Sequence, residues 1–281
     1  MRQFQIETPI GKPLGYVPSP PDSRDYILEV SKRLYTPSSI DYSSEMTPVE
    51  DQGNEGSCVG FACDSFKEWQ EKKDWQRVIN LSPRFVYGEA RKIDGLPNCF
   101  DGTNLRAAMK VLNKKGICRE ETCPYIPNQP VTITQKMYKE ALMYRIKEYW
   151  NIRREDIKGA LVQNGPIVAG VSVYQNWFAD SVEETGIIPL PSGKLLGGHA
   201  ICLAGYDDDH IKFKNSWSTD WGAQGYGYLP WEYEISEAWV TVDNIVDEPP
   251  ESTAESILER IRLVISLPTT KSSGFVPRRD K

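Results

Sequence analysis

The sequence predicts an α+β fold in which a helical part precedes a part built mainly of antiparallel strands. From about residue 40 to 125, apolar residues recur at the spacing of buried helix faces. From residue 166 onward the apolar runs are short, rich in Val and Ile, and bounded by turn residues, which is typical of strands. We therefore expect two parts with a cleft between them, and such clefts are common ligand sites.

The composition divides the chain of 281 residues into three segments. Residues 1–38 form an N-terminal extension rich in Pro, which holds a chain extended and prevents a helix. Residues 39–247 are long enough for a substantial core, with a helical part at about 39–130 and a mainly β part at about 131–235. Residues 248–281 combine an amphipathic stretch with a polar stretch, and we predict a C-terminal helix and tail.

Caps, turns and periodicity locate the individual elements. The predicted helices are one starting near Cys58, Arg84–Lys92 after Ser82-Pro83, Asn104–Lys115 before Gly116, a stretch near Lys136–Tyr149, and Glu155–Gln163. The predicted strands are Pro166–Val173, Ala200–Gly205, Ile211–Lys214 and Gly225–Leu229.

Cys58 lies where a nucleophile is favoured. Ser57 is a good N-cap residue, so Cys58 falls in the first helical turn, where unpaired N–H groups and the helix dipole favour a thiolate. Gln52, six residues earlier, can direct its amide beside the backbone N–H of Cys58. Two converging donors of this kind form an oxyanion hole. Taken alone, a Cys at a helix start is more often a small buried apolar residue.

A thiolate nucleophile needs a base, and the chain has two histidines. His199 enters an apolar run that reads as a buried strand, between Gly198 and Ala200. His210 follows three aspartates in a polar turn and is expected to be solvated. We therefore assign His199 as the base.

The stretch Lys214-Asn-Ser-Trp-Ser-Thr-Asp-Trp-Gly222 follows, and its Asn215 lies sixteen residues after His199. Together with Gln52, Cys58 and His199, this stretch makes the chain resemble the papain-like cysteine peptidases from about Ile40 to Pro230. The short Pro-rich extension resembles that of prokaryotic members. The resemblance implies a papain-like two-domain fold, with the Cys helix on a helical domain and His and Asn on an antiparallel, barrel-like β domain.

The resemblance also assigns roles. Gln52 matches the family's oxyanion-hole glutamine and Cys58 its nucleophile. His199 and Asn215 match the base and the asparagine that orients it, and Trp217 matches the tryptophan beside that pair. The implied activity is that of a cysteine endopeptidase acting through a thiolate–imidazolium pair and a thioester. A related exopeptidase, amidase or transpeptidase, or a catalytically silent peptide-binding module, remains the alternative.

The substrate-binding residues follow from the same resemblance. Gly102, with Asp101 before it, resembles the glycine strip that pairs with an extended substrate. Gly170, Gly198 and Ala200 match the pocket for the substrate's second residue, and Trp217 is expected nearby. Their small size predicts room for a bulky apolar side chain or for a side chain of the N-terminal segment.

The N-terminal extension departs from the larger, helical propeptides of the family. Our hypothesis is that it packs across or beside the cleft as an intramolecular inhibitor. The anchors we expect are Tyr16, Val17, Tyr26, Ile27 and Leu28. A surface segment remote from the cleft is the alternative.

The six cysteines favour a mostly reduced chain. Cys63 and Cys202 are expected to be core thiols, whereas Cys118 and Cys123 suit either a local bridge or free thiols. Cys99 matches a family cysteine whose usual partner position is occupied here by Glu55.

The charge and the apolar runs limit the partners. A net charge of −6 argues against nucleic acid, and no run approaches a membrane span. We expect a polypeptide substrate and a monomer. We expect no metal or other cofactor, because no His, Cys, Asp and Glu residues show the spacing of metal ligands. The N-terminus lacks a signal peptide's apolar core, which favours the cytoplasm and leaves secretion by another route open.

Overall fold

The computed structural model describes residues 8–9, 11–31 and 33–245. Within these residues, the fold has six α-helices and a seven-stranded antiparallel sheet. The helices are α1 (Cys58–Trp75), α2 (Pro83–Ala90), α3 (Leu105–Lys114), α4 (Gln135–Ala141), α5 (Ile157–Asn164) and α6 (Asp180–Thr185). The strands are β1 (Ile40–Asp41), β2 (Ile146–Asn151), β3 (Ile167–Tyr174), β4 (Leu195–Tyr206), β5 (His210–Lys214), β6 (Tyr226–Pro230) and β7 (Ile235–Asp243). The helix and tail predicted for 248–281 lie outside the described residues.

The helical part forms as its caps predict. The Ser82 side chain accepts the N–H of Phe85 at the start of α2, and the Asn104 side chain accepts that of Ala107 at the start of α3. Both predicted helices are confirmed, as is the helix that starts at Cys58. All three helices contribute side chains to a core that also includes residues of β3 and β4.

The stretch predicted as a helix from Lys136 to Tyr149 differs from that prediction. α4 ends at Ala141, and β2 then pairs with β7 in antiparallel register, with Trp150 opposite Val240. β-branched and aromatic residues suit a strand, and β7 supplies a partner that the local pattern does not reveal. β7 itself continues to Asp243, beyond residue 235, where the β part was predicted to end. Side chains of α4 pack with the core of the helical part, although α4 lies in the stretch assigned to the β part.

The sheet has the order β2-β7-β3-β4-β5-β6, and β1 pairs with β4. The predicted strands are confirmed at β3 to β6. Pairing of β3 with β4 sets Val171 opposite His199 and Gly170 opposite Ala200. A second core of Ile, Val, Leu and aromatic side chains packs against this sheet. His199 therefore lies inside a paired, buried strand.

Residues 12–30, which we call the strap, cross both parts of the fold. Tyr16 N–H donates to the Gly198 carbonyl at 3.0 Å, and Val17 N–H donates to the Thr103 carbonyl at 3.0 Å. Farther along, Asp25 accepts Arg106 Nε at 2.9 Å. These contacts join the strap to a strand of the sheet and to the segment that leads into α3.

The anchors predicted in the strap behave differently from one another. The Tyr16 side chain is buried and Leu28 packs against the second core. Tyr26 and Ile27 have exposed side chains, so their prediction as side-chain anchors is wrong. They are held through the backbone instead, because the Tyr26 carbonyl accepts the N–H of Asn151, and Ile27 bridges the same residue.

Candidate active site

Cys58 is the first residue of α1 and is fully buried. Ser57 occupies the N-cap position, but its side chain makes no capping hydrogen bond. The Ser57 hydroxyl lies 2.6 Å from the hydroxyl of Tyr125 instead. The predicted helix start is thus confirmed, whereas the side-chain cap is replaced by a contact with a distant tyrosine.

The Cys58 sulfur lies among backbone N–H groups. Burial raises the pKa of the Cys58 thiol to about 11, and hydrogen bonds from the backbone of Ala200, Gly15 and Val59 act in the opposite direction. Ala200 directly follows His199 on β4, so this contact brings the sulfur to the strand that carries the histidine. The contact with Gly15 brings the strap to the same atom.

His199 is oriented by Asn215. The Nε2 atom of His199 lies 2.8 Å from Asn215 Oδ1, and the Ser216 backbone N–H donates to the same Oδ1 at 2.9 Å. Because a backbone N–H requires an acceptor, that atom is the amide oxygen, and His199 Nε2 must carry the proton. The neutral ring therefore presents Nδ1 as a proton acceptor.

His199 is buried against aromatic side chains. Burial lowers the pKa of His199 to about 4, and its hydrogen bond to Asn215 acts in the opposite direction. Trp217 stacks on the ring, with centroids 4.6 Å apart and planes inclined by 29°. Among the described residues, His199 Nδ1 has no hydrogen-bond partner. The imidazole is therefore neutral at pH 7, with its accepting nitrogen unused.

Gln52 directs its amide toward the strap. Its Nε2 atom donates to the Pro13 carbonyl at 3.1 Å and to the Glu55 carbonyl at 2.8 Å. Its Oε1 atom accepts the Ser216 hydroxyl at 2.8 Å. The amide orientation is therefore determined by its partners, and one N–H of this side chain faces a backbone carbonyl of the strap.

A pocket beside this centre is filled by Tyr16. A Cβ atom at Gly170 would overlap the Tyr16 ring, and one at Gly198 would overlap the Tyr16 backbone. The Tyr16 hydroxyl donates to Glu237 Oε1 at 3.0 Å. The pocket predicted from Gly170, Gly198 and Ala200 thus holds an aromatic ring of the strap, and its far end is polar.

The segment predicted as a substrate strip also contacts the strap. The hydrogen bonds to the strap are made by Thr103, whose N–H donates to the Gly15 carbonyl at 2.8 Å. Gly102 permits the close approach, since a Cβ there would overlap that carbonyl. The Asp101 carboxylate accepts the N–H of Gly56 at 2.9 Å and the Tyr87 hydroxyl at 2.7 Å. Asp101 thus stabilises the approach to Cys58.

Two residues of the site were missed by sequence reasoning. Ser216 binds both Asn215 and Gln52, and its position directly after Asn215 was the available signal. Thr103 belongs to the stretch Asp101-Gly102-Thr103 that resembles the glycine strip, although Gly102 was the expected best match. Glu237 lies far along the chain from the rest, and nothing local distinguishes it.

The cysteines and the charged clusters complete the description. All six cysteines are free thiols; Cys63 and Cys202 are buried as predicted, and the Cys118 and Cys123 thiols contact each other. Glu55 forms an ion pair with Arg84, and Cys99 is exposed.

In the part of the chain that the structure describes, no group of three His, Cys, Asp or Glu side chains could hold a metal ion. No helix within the same residues is long and apolar enough to span a membrane.

Known proteins share this architecture. Residues 36–238 match the family described as papain family cysteine proteases. An uncharacterized peptidase C1-like protein of Acanthamoeba polyphaga mimivirus is 29% identical over 262 residues, covering 81% of this chain and 84% of that protein. Xylellain, a cysteine protease from Xylella fastidiosa, is 32% identical in its crystal structure, with a TM-score of 0.75, covering 82% of this chain and 96% of that one.

A more distant structure shows the same fold. Digestive procathepsin L 3 of Tenebrio molitor is 19% identical, with a TM-score of 0.64, covering 78% of this chain and 74% of that one. These likenesses confirm the predicted α+β, papain-like fold. The family match confirms the predicted cysteine peptidase activity, for which polypeptides are the substrates. The chain belongs to the papain family of cysteine proteases.

Proposed function

We propose that the protein is an endopeptidase whose cleft is closed by its own strap until the strap is displaced. One observation carries this proposal: the strap backbone occupies the positions that a substrate backbone needs. The Pro13 carbonyl accepts the Gln52 amide at 3.1 Å, where an oxyanion would be bound. The Gly15 backbone contacts the Cys58 sulfur. A substrate cannot reach either group while the strap is in place.

The direction of the strap favours inhibition over cleavage. In a substrate, the residue that fills the pocket precedes the carbonyl that is attacked. In the strap, Tyr16 fills the pocket and follows Pro13, whose carbonyl contacts Gln52. The strap therefore runs through the cleft in the direction opposite to that of a substrate. Reversal exchanges the order of carbonyl and N–H groups along the segment relative to a substrate, so a peptide bond of the segment is not presented to the sulfur as a substrate bond is.

The closed site also lacks the charges of an active enzyme. Burial raises the pKa of Cys58 to about 11 and lowers that of His199 to about 4. A neutral thiol and a neutral imidazole are therefore stable in the closed state at pH 7. Displacement of the strap admits water, which stabilises the thiolate and the imidazolium.

In the open state the chemistry is carried by four groups. His199 Nδ1 takes the proton of the Cys58 thiol, and the thiolate attacks the peptide carbonyl. The Gln52 amide and the Cys58 N–H stabilise the oxyanion. The imidazolium, held by Asn215, gives its proton to the leaving amine, and the C–N bond breaks. Water then hydrolyses the thioester, with His199 as the base.

The path of the strap favours an endopeptidase over an exopeptidase. Described residues of the strap continue on both sides of Cys58, with Lys12 paired to Asp51 at one end and Val17 paired to Thr103 at the other. The cleft therefore accommodates a chain that extends past the reacting centre in both directions. An exopeptidase needs one of these directions closed to bind a chain terminus.

Labelling of Cys58 by an epoxide inhibitor of papain-type thiols tests the proposal. Tyr16→Ala in the full chain removes the ring from the pocket, and Tyr26→Ala is the matched control, because the Tyr26 side chain is exposed in the same strap. We expect fast labelling and peptide cleavage only in Tyr16→Ala. Equal labelling of the unsubstituted chain, Tyr16→Ala and Tyr26→Ala would contradict closure by the strap. Absence of labelling in all three would contradict the catalytic assignment.

A further inference from the structure

The Tyr125 hydroxyl binds both segments that carry the proposed oxyanion donors. It donates to the Gln52 backbone carbonyl at 2.7 Å, and it lies 2.6 Å from the Ser57 hydroxyl. Because the single proton of Tyr125 goes to a carbonyl, the Ser57 hydroxyl must donate to the Tyr125 oxygen. Ser57 directly precedes Cys58, the first residue of α1. One hydroxyl therefore connects the residue that carries the Gln52 amide to the residue before the Cys58 N–H.

The Tyr125 ring is held by contacts that do not involve its hydroxyl. Phe61, on α1, packs edge-on against the ring, with centroids 4.7 Å apart. The guanidinium carbon of Arg84 lies 4.6 Å from the ring centroid. The Tyr125 backbone N–H donates to Glu120 Oε1 at 2.6 Å. A phenylalanine at this position would therefore keep the packing and lose the connection between Gln52 and Ser57.

Gln52 is bound by both parts of the fold. From the β part, the Ser216 carbonyl accepts the Gln52 backbone N–H at 2.9 Å, and the Ser216 hydroxyl donates to Gln52 Oε1 at 2.8 Å. From the helical part, Tyr125 binds the Gln52 carbonyl. The Cys58 N–H, the second donor, belongs to α1. The Tyr125 hydroxyl thus relates Gln52 to the start of α1 without using the amide N–H groups that an oxyanion requires.

From this geometry we propose that Tyr125 is a positioning residue for the oxyanion hole, which holds the Gln52 amide and the Cys58 N–H at a fixed spacing. The inference rests on the proposed function, since these donors act only during peptide cleavage. Two donors stabilise one oxyanion only when both lie within hydrogen-bond distance of it. The charge on that oxygen develops in the transition state, so loss of the spacing should lower kcat more than it raises KM.

One carboxylate competes with the Gln52 carbonyl for the Tyr125 proton. Burial raises the pKa of Tyr125, and the charge of Glu55 acts in the same direction. The hydroxyl is therefore neutral at pH 7 and remains a donor. Arg84 Nη1 donates to Glu55 Oε1 at 2.8 Å, and the other Glu55 oxygen pairs with the same guanidinium. If the Tyr125 hydroxyl turned to Glu55 in the open enzyme, its removal would leave peptide cleavage unchanged.

The test compares cleavage of a fluorogenic peptide amide with alkylation of Cys58 by iodoacetamide, followed by peptide mapping. Alkylation forms an S–C bond at a saturated carbon and releases iodide, so it reports on the thiol without an oxyanion. The parent is the full chain with Tyr16→Ala, which removes the strap ring from the pocket. Tyr125→Phe removes the hydroxyl. Tyr138→Phe is the matched control, because the Tyr138 hydroxyl donates to Glu89 at 2.9 Å in the same helical part.

We expect Tyr125→Phe to lower kcat for the amide about 10–30-fold and to change Cys58 alkylation less than about twofold. Tyr138→Phe should change neither rate. Gln52→Ala already lacks one oxyanion donor, so adding Tyr125→Phe to it should lower kcat by less than about threefold. This loss of additivity separates positioning of Gln52 from a general disturbance of the fold.

Three results would overturn the role of Tyr125 while the peptidase assignment stands. They are an unchanged kcat in Tyr125→Phe, an equal loss of cleavage and of alkylation, and an equal loss of kcat with and without Gln52→Ala. Absence of both amide cleavage and Cys58 alkylation in the parent chain would instead overturn the proposed function on which this inference depends.

Discussion

The catalytic centre and the Tyr16 pocket depend on the strap to different degrees. Asn215 Oδ1 accepts hydrogen bonds from His199 and from the Ser216 N–H, and both donors belong to the body of the fold. Gln52 is oriented by the Ser216 hydroxyl in the same way. Glu237, by contrast, receives hydrogen bonds from Tyr16 and Ser19 of the strap.

The proposed latency therefore depends on the strap, whereas the orientation of His199, Asn215 and Gln52 depends on the body of the fold. Displacement of the strap leaves the partners of His199, Asn215 and Gln52 Oε1 in place, because those partners are not part of the strap. The same event exposes a pocket whose carboxylate has lost most of its donors. Under the proposed function, the strap covers a centre whose hydrogen bonds are already in place, and its Tyr16 ring fills the pocket beside that centre.

Substitution of Cys58, the proposed nucleophile, should have the largest effect on activity. In the full chain with Tyr16→Ala, we expect Cys58→Ala to lower peptide cleavage by at least about 10⁴-fold, because no thiolate remains to form the thioester. Cys99→Ser is the control, since Cys99 is an exposed free thiol. Initial rates on one fluorogenic peptide measure both. Substantial turnover by Cys58→Ala would contradict the assignment.

Loss of one oxyanion donor comes next in size. Gln52→Ala in the same strap-loosened chain should lower kcat by roughly 10²–10³-fold, equivalent to about 2.7–4 kcal/mol. Ser216→Ala keeps Gln52 but removes the hydroxyl that orients it, and a loss of about 2–10-fold is expected. Steady-state kinetics with a single peptide compare the two. An equal loss in both variants would mean that Ser216 does more than position Gln52.

Removal of the Tyr16 hydroxyl tests whether its hydrogen bond to Glu237 holds the strap in the pocket. Tyr16→Phe keeps the ring and removes the hydrogen bond to Glu237, and such bonds to charged groups contribute about 1.5–3 kcal/mol. We expect the full chain to label at Cys58 about 10–100-fold faster. Tyr26→Phe, with its exposed ring, should label at the wild-type rate. If the two variants label alike, the Glu237 contact does not hold the strap closed.

Acidification should open the strap by a smaller factor. Burial holds the pKa of His199 at about 4 in the closed state, below the ordinary value of 6.5. Since the closed state binds the proton less readily than a solvated imidazole, its stability is lost as the pH falls from about 6.5 toward 4. Opening should increase about tenfold between pH 6.5 and pH 5.

Hydrogen exchange measures this opening without a competing reaction. The amides of Tyr16 and Val17 are followed in the Cys58→Ala chain, and the intrinsic pH dependence of exchange is subtracted. In a chain that also carries His199→Gln, which has no titratable ring, the remaining pH dependence should disappear. A pH dependence that survives this substitution would assign the effect to another group.

The predictable part of the fold consists of elements with local signals. Ser82 and Asn104 cap their helices as their positions predict. β2 could not be foreseen, because its identity depends on β7, a strand far along the chain that pairs with it. The same reason explains why the hydrogen bond from the Gly56 N–H to Asp101 could not be foreseen, because no local pattern reveals it. The expected place of Asp101 in a substrate strip stays a prediction.

The sequence by itself determined the family and predicted the reacting thiol and the base, because short motifs around Cys58, His199 and Asn215 have the order and spacing of that family. Only the tertiary structure decided the direction of the strap and the presence of Glu237 at the end of the Tyr16 pocket. Both depend on hydrogen bonds between segments far apart in the chain. Such contacts arise from packing, and a pattern read along one chain does not contain them.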